Sequence, residues 1–173
     1  MTDPNIRGIE HVGITVPDID AAETFLARAF GAVRVYDALR EPVGGLELEV
    51  HLGLPGGAAI LRARMLRLAD GANVELFQYG GVPQRPVHRP SDLGLQHLAI
   101  QVSDIRAAID RVVAAGGEQL SAPLDLPERA SGAGNLFAYL RAPWGTTIEL
   151  IAWASPEAYE RDTEVRAWRP GRV

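Results

Sequence analysis

Apolar and polar residues alternate along two short stretches of the chain, which predicts two β-strands that are each buried on one face. The first stretch runs from Ile9 to Val16 and places His11 opposite its apolar residues. The second runs from His97 to Val102 and repeats the pattern, with His97 on the polar face. Because the apolar face of each strand should pack on a helix, we expect the His-bearing face to line a concave space.

An Ala-rich segment with helical spacing of its apolar residues follows each strand. The two predicted helices carry apolar stripes formed by Phe25, Leu26 and Ala29, and by Ile105, Ile109, Val112 and Val113. Asp20 with Glu23 three residues later predicts a capping box at the start of the first helix. Gly31 and Gly116 predict where the helices end.

Further strands follow each helix. They are predicted over Ala59 to Leu68, Asn73 to Tyr79, Leu136 to Leu140 and Thr147 to Trp153. In the last strand of each half, alternation places Glu75 or Glu149 on the face opposite the Val, Ile and Leu residues. Each half therefore reads β-α-β-β-β.

The two halves are copies of one unit. Around the Glu residues, RLADGANVEL (67–76) aligns without a gap on RAPWGTTIEL (141–150). Two such copies are expected to pack together, so His11, Glu75, His97 and Glu149 can converge on one point. Two imidazoles and two carboxylates suit one divalent ion, which we expect to be Mn, Co, Ni, Fe or Zn.

The predicted organisation is a first module over residues 7–80, a Pro-rich linker over 81–92, a second module over 93–153 and a C-terminal helix or arm over 154–173. Residues 40–57 leave two alternatives open, since Leu46 to Leu54 suits a short helix or a strand. Residues 121–134 are predicted to form a loop over the open face.

Composition narrows the function classes. The 173 residues suffice for one domain or two fused half-domains, and 47% of them are hydrophobic. Absence of cysteine excludes disulfides and thiolate ligands and suits a reducing compartment, so we expect a cytoplasmic protein without a signal peptide. A formal net charge of −5 argues against a nucleic-acid partner. No apolar stretch is long enough to span a membrane, so we expect no membrane partner.

The strings HVGITVPD, VELFQY, HLAIQVSD and APWGTTIELI resemble those of the vicinal oxygen chelate superfamily, which comprises glyoxalases, bleomycin-resistance proteins and extradiol dioxygenases. The resemblance implies an α+β fold in which two tandem β-α-β-β-β modules form one cup-shaped mixed sheet around a central metal. His11, Glu75, His97 and Glu149 match its four ligand positions. A complete set of four points to the branch that resembles glyoxalase I and methylmalonyl-CoA epimerase.

This resemblance implies a metal-dependent epimerase, isomerase or lyase that chelates a small carbonyl substrate and stabilises an enolate, with no organic cofactor. Glu149 is the expected base because its neighbours are more apolar, and Glu75 is the alternative. Six residues on the open face are expected to bind substrate: Phe77, Tyr79, Phe137, Tyr139, Ile151 and Trp153.

Three other functions stay open. A metal-independent protein could sequester a drug-like molecule in the cup. A glyoxalase I-like lyase would need a glutathione site, and an extradiol-type dioxygenase would need redox-active iron and room for oxygen beside four protein ligands. In each case the partner is a small molecule, and exposed sheet edges with a C-terminal arm favour a homodimer.

Overall fold

The computed structural model describes residues 8–171. These residues form two compact units: the first contains the described residues up to Glu23 together with Gly31–Gln84, and the second contains Thr24–Phe30 and the described residues from Arg85 onward. Residues 7, 172 and 173, at the ends of the predicted modules, lie outside the described part.

The first unit is built on a five-stranded sheet. Its elements are β1 (His11–Thr15), α1 (Ile19–Phe30), β2 (Val33–Asp37), β3 (Val43–Gly44), α2 (Leu46–Leu52), β4 (Ala59–Arg67) and β5 (Asn73–Gly80). The C-terminal part of α1, from Thr24, belongs to the second unit. The strand order is β1-β5-β4-β2, and β3 also pairs with β4. β1 runs parallel to β5, while the other pairs are antiparallel.

The second unit repeats this arrangement. It contains β6 (Leu98–Gln101), α3 (Ile105–Ala114), β7 (Glu118–Gln119), β8 (Leu124–Asp125), a 3₁₀ helix (Glu128–Ala130), β9 (Leu136–Arg141), β10 (Thr147–Ala152) and a second 3₁₀ helix (Ala158–Arg161). The order β6-β10-β9-β7, with β8 on β9, matches the first sheet strand for strand. The predicted α+β class and the tandem modules are confirmed, and each module gains one two-residue strand.

Burial follows the predicted alternation of the strands. Leu66, Val74 and Leu76 are buried in the first sheet, as are Leu140 and Leu150 in the second. In the second unit this apolar face packs against α3. Val113, which was assigned to the buried stripe of α3, is 47% exposed, so the stripe of that helix is narrower than predicted.

The predicted capping box at α1 is wrong. The carboxylate of Asp18 caps the helix, accepting the backbone N–H groups of Asp20 and Ala21 at 2.9 Å each. Asp20 and Glu23 instead form ion pairs with arginines of the sheet. Asp104 caps α3 in the same way, accepting from two backbone N–H groups at 3.0 Å.

Two segments that the sequence either left open or assigned to a loop contain regular secondary structure. Leu46–Leu52 is the helix α2, between Gly45 with φ 104° and Gly53 in the left-handed conformation with φ 64°. Residues 121–134, predicted to be a loop, contain β8 and a 3₁₀ turn, because Leu124 and Asp125 pair with the edge of β9. Among residues 8–171, no helix has the length and apolarity to cross a bilayer.

Candidate functional site

Neighbouring parallel strands bring His11 and Glu75 together in the first unit. His11 begins β1, and Glu75 lies on β5 opposite Gly13, two residues further along β1. The imidazole Nε2 of His11 is 3.4 Å from Oε2 of Glu75. The His11 side chain is 41% exposed and that of Glu75 is 18% exposed, so this pair is accessible from solvent.

The other nitrogen of His11 contacts Glu10. Nδ1 forms a short hydrogen bond with the Glu10 carboxylate, and this bond raises the pKa of His11 and lowers that of Glu10. Asn73 holds Glu10 in place, since its side-chain amide donates to the carboxylate at 2.9 Å and its backbone N–H donates to the Glu10 carbonyl at 3.0 Å. Glu10 was not among the predicted site residues. The signal in the sequence is that Glu10 precedes His11 whereas Gln96 precedes His97, so the two copies differ at this position.

The second unit contains the equivalent pair in a more buried setting. Nε2 of His97 is 2.9 Å from Oε2 of Glu149, and the two side chains are 24% and 11% exposed. Nδ1 of His97 is buried and has no hydrogen-bond partner among residues 8–171. Glu149 lies on β10 between its neighbours Ala99 on β6 and Tyr139 on β9.

Tyr139 contacts both members of the second pair, His97 and Glu149. Its ring centroid is 5.6 Å from that of His97 in an edge-on arrangement. Burial raises the pKa of the Tyr139 phenol, as do the charge of the Glu149 carboxylate and the hydrogen bond between the two groups. In the first unit the residue opposite Glu75 is Met65, which cannot donate such a bond.

Each pair has donors that suit a divalent metal. Two donor atoms that each lie about 2.1 Å from one ion are about 3.0 to 3.4 Å apart, depending on the bond angle at the ion. The observed separations of 3.4 and 2.9 Å therefore fit two adjacent coordination positions in each unit. Neither unit by itself, within residues 8–171, groups three or more His, Asp or Glu side chains so that they could hold an ion. That the two pairs share one ion stays a prediction.

The six predicted substrate-binding residues are all partly buried: Phe77, Tyr79, Phe137, Tyr139, Ile151 and Trp153. Phe77 stacks on Tyr79 with ring centroids 6.1 Å apart, and Phe137 lies edge-on to Tyr139 at 5.7 Å. Aromatic walls of this kind suit the carbon skeleton of a small molecule. Their contact with substrate stays a prediction.

Each unit also has an open cavity. The cavity of the first unit, about 570 Å³, is lined by Glu10, Asn73, Met65 and Arg67 together with residues of β2. The cavity of the second unit, about 330 Å³, is lined by Gln101 and Trp153 together with residues of the C-terminal segment.

The C-terminal segment supplies a residue that the sequence analysis missed. Arg169 is buried, forms an ion pair with Glu157, and places its guanidinium carbon 4.0 Å from the centre of the Trp153 ring. Trp153 follows directly on β10, the strand that carries Glu149. The C-terminal segment thus packs on one of the predicted pocket walls.

Comparisons with known proteins show which family the chain is similar to. Residues 10–139 match the model of the glyoxalase/bleomycin resistance protein/dioxygenase superfamily. The chain is 34% identical over 171 residues to a 2-epi-5-epi-valiolone epimerase from Actinomyces sp, covering 96% of this chain and 91% of that protein.

Solved structures share the fold. A glyoxalase family protein from Bacillus cereus is 22% identical with a TM-score of 0.67, covering 88% of this chain and 97% of its own. A variant of the fosfomycin resistance protein from Listeria monocytogenes, in complex with Mn(II), is 17% identical with a TM-score of 0.58 and covers 91% and 99% of the two chains.

Proposed function

The chain belongs to the glyoxalase/bleomycin resistance protein/dioxygenase superfamily, and we propose that it is a metal-dependent epimerase of a small polyhydroxylated cyclic ketone. The observation that carries the proposal is the repeated His–Glu pair, with donor atoms 3.4 and 2.9 Å apart. The similarity to an epimerase along nearly the whole chain supports the reaction type and the substrate class.

We propose that His11, Glu75, His97 and Glu149 together bind one Mn, Co, Ni, Fe or Zn ion. All four side chains are hard or borderline donors, and two carboxylates neutralise a dication. The bound ion would act as a Lewis acid on the substrate carbonyl and stabilise the negative charge that develops when the adjacent C–H loses its proton.

Glu149 is the proposed base. Its side chain is 11% exposed, so little water competes for the proton that it accepts from the carbon beside the carbonyl. The phenol of Tyr139 and the imidazole of His97 hold this carboxylate from two sides. Glu75, which is more exposed, is the alternative base. A proton from solvent then adds to the opposite face of the carbon and inverts its configuration, and Glu149 releases the proton that it accepted to solvent. The net reaction consumes neither oxygen nor an organic cofactor.

The activity test is hydrogen exchange at the substrate carbon. We expect the metal-loaded protein to incorporate one solvent deuterium into 2-epi-5-epi-valiolone, measured by mass spectrometry, and to lose this activity after chelation. Glu149→Gln should lower the exchange rate about 100-fold or more, since it keeps an oxygen ligand but removes the base. The metal content, measured by elemental analysis, should fall less than the rate.

Two controls make this experiment specific. His88→Ala removes a histidine that has no partner in the repeat and should leave about one ion per chain, whereas His97→Ala should not. A panel that also contains 2-keto acids and thioesters tests the substrate class. A protein that retains a small molecule without metal and exchanges none of these compounds would instead be a binding protein.

A further inference from the structure

The two His–Glu pairs differ in what holds the histidine. Nδ1 of His11 is bonded to Glu10, which Asn73 fixes through one side-chain and one backbone hydrogen bond. Nδ1 of His97 is buried without a partner among the described residues. The residue that precedes His97 is Gln96, whose side-chain amide donates to the carbonyl of Pro90 at 3.2 Å and forms no hydrogen bond with Nδ1 of His97.

This difference determines which nitrogen carries the hydrogen. A neutral imidazole has one N–H, and an ionised carboxylate can only accept. Glu10 therefore keeps the hydrogen of His11 on Nδ1 and leaves a lone pair on Nε2. That lone pair faces Oε2 of Glu75 at 3.4 Å, longer than a good hydrogen bond. Two acceptors that face each other repel, unless a cation lies between them.

The neutral form of His97 has the opposite arrangement. Its Nε2 is 2.9 Å from Oε2 of Glu149, a normal hydrogen-bond length, while Nδ1 finds no acceptor. The hydrogen is therefore on Nε2, the nitrogen that faces Glu149. Before Nε2 of His97 can bind an ion, this hydrogen must leave or move to Nδ1.

We propose that Glu10 is a positioning residue that prepares His11 to bind the metal ion, whereas His97 becomes a ligand only after its tautomer changes. The inference rests on the proposed function, because it takes both histidines as ligands. Carboxylates that hold the second nitrogen of a ligand histidine typically change metal affinity 10- to 100-fold, and we expect an effect of about this size here. The His11 side chain is 41% exposed, so an ion can reach this pair from solvent.

The first test concerns the metal-free protein. At about pH 9, well above the ordinary histidine pKa of about 6.5, the ¹⁵N shifts of the imidazoles distinguish the two tautomers. We expect the Nδ1–H form for His11 and the Nε2–H form for His97. Each imidazole signal is assigned by its loss in the variant that lacks that histidine, His11→Gln or His97→Gln. In Glu10→Ala the His11 signal should move to a mixture of forms, while Gln96→Ala should leave the His97 signal unchanged.

The second test measures Co²⁺ affinity by calorimetry. We expect Glu10→Ala to weaken binding about 10- to 100-fold, and the matched variant Gln96→Ala to stay within about twofold. The thermal midpoints of both variants check that each is folded. Equal affinities of the two variants, or the same tautomer at both histidines in the wild-type protein, would overturn the role of Glu10.

The outcomes separate this inference from the proposed function. If the wild-type chain binds Co²⁺ and Glu10→Ala binds it equally well, only the role of Glu10 fails. If the wild-type chain binds no Co²⁺, the proposed metal-dependent function fails, and the positioning role fails with it.

Discussion

Arg64 is a charged side chain inside the first unit, and its environment explains how the chain tolerates it. The Arg64 side chain is 2% exposed, and its guanidinium forms ion pairs with Asp20 and Glu23 of α1 and with Asp37 of β2. A buried cation is costly unless carboxylates and hydrogen bonds compensate for its lost hydration. Arg64 therefore fixes the first half of α1 to the sheet, which a smaller or neutral residue could not do.

Replacing this cation should destabilise the protein. We expect Arg64→Met to lower the free energy of unfolding by about 1.5–3 kcal/mol, since it removes the buried charge-assisted hydrogen bonds that Arg64 donates to Glu23 and Asp37. The matched variant Arg62→Met removes an arginine that also pairs with Asp20 but is 41% exposed, and it should cost less than about 1 kcal/mol. Urea denaturation measures both values. Equal losses would show that burial does not determine the contribution of Arg64.

At the residue scale, the sequence predicted the four His and Glu residues but not the residues that hydrogen-bond to them, such as Glu10. His11, Glu75, His97 and Glu149 were recognisable because the repeat marks them twice. Glu10 escaped because it precedes β1, so strand alternation does not constrain where its side chain goes. Asp20 and Glu23 had the spacing of a cap, but Arg62 and Arg64 are far away in sequence and compete for their carboxylates.

At the scale of elements, α1 depends on ionised carboxylates. Hydrogen bonds to arginines hold the pKa of Asp20, and that of Glu23, below the ordinary values of 3.8 and 4.5. A carboxyl group whose pKa is lowered on folding adds stability above its unfolded pKa, and this stability is lost as pH falls through the folded pKa. The attachment of α1 should therefore weaken below about pH 4.5.

This pH dependence can be measured directly. We expect the urea midpoint of the wild-type protein to fall steadily as pH is lowered from about 5 to about 3. Arg64→Met should show a shallower decline, because its carboxylates have lost one of the cations that lower their pKa. Parallel declines in the two proteins would contradict a role of the Arg64 cluster in acid stability.

Short elements were the part of the fold that the sequence could not decide. The alternation in LELEV (46–50) suits a strand, yet this segment lies in the helix α2. Gly45 and Gly53 flank the helix, and in the described first unit the pairing of β3 with β4 ends at Gly44, before the helix begins. β3 and β8 have two residues each, which is too short for a periodic pattern. Their positions depend on free hydrogen-bonding groups of β4 and β9.

At the scale of the whole molecule, the first unit exposes an apolar edge. Val33, Val35 and Tyr36 of β2, an edge strand of its sheet, are each more than half exposed, and so are Leu46 and Val50 of α2. Edges of this kind commonly pair with another chain. We therefore expect a homodimer at micromolar concentration, measured by light scattering after size exclusion.

A charged substitution at that edge supplies the comparison. Val35→Glu should shift the protein towards monomer, whereas Val113→Glu, which also changes an exposed valine but lies on α3 in the other unit, should not. A wild-type protein that is entirely monomeric at these concentrations would remove the prediction of a dimer.

Helix α1 is divided between the two compact units, and this division limits where the chain can be cut into fragments. Thr24–Phe30 belongs to the second unit, where Phe25 packs edge-on against Trp144 with ring centroids 5.3 Å apart. The boundary between the two copies in the sequence is therefore not the boundary between the two compact units. A polypeptide that begins at residue 85 would lack Phe25, so Trp144 of that piece would lose its edge-on aromatic contact.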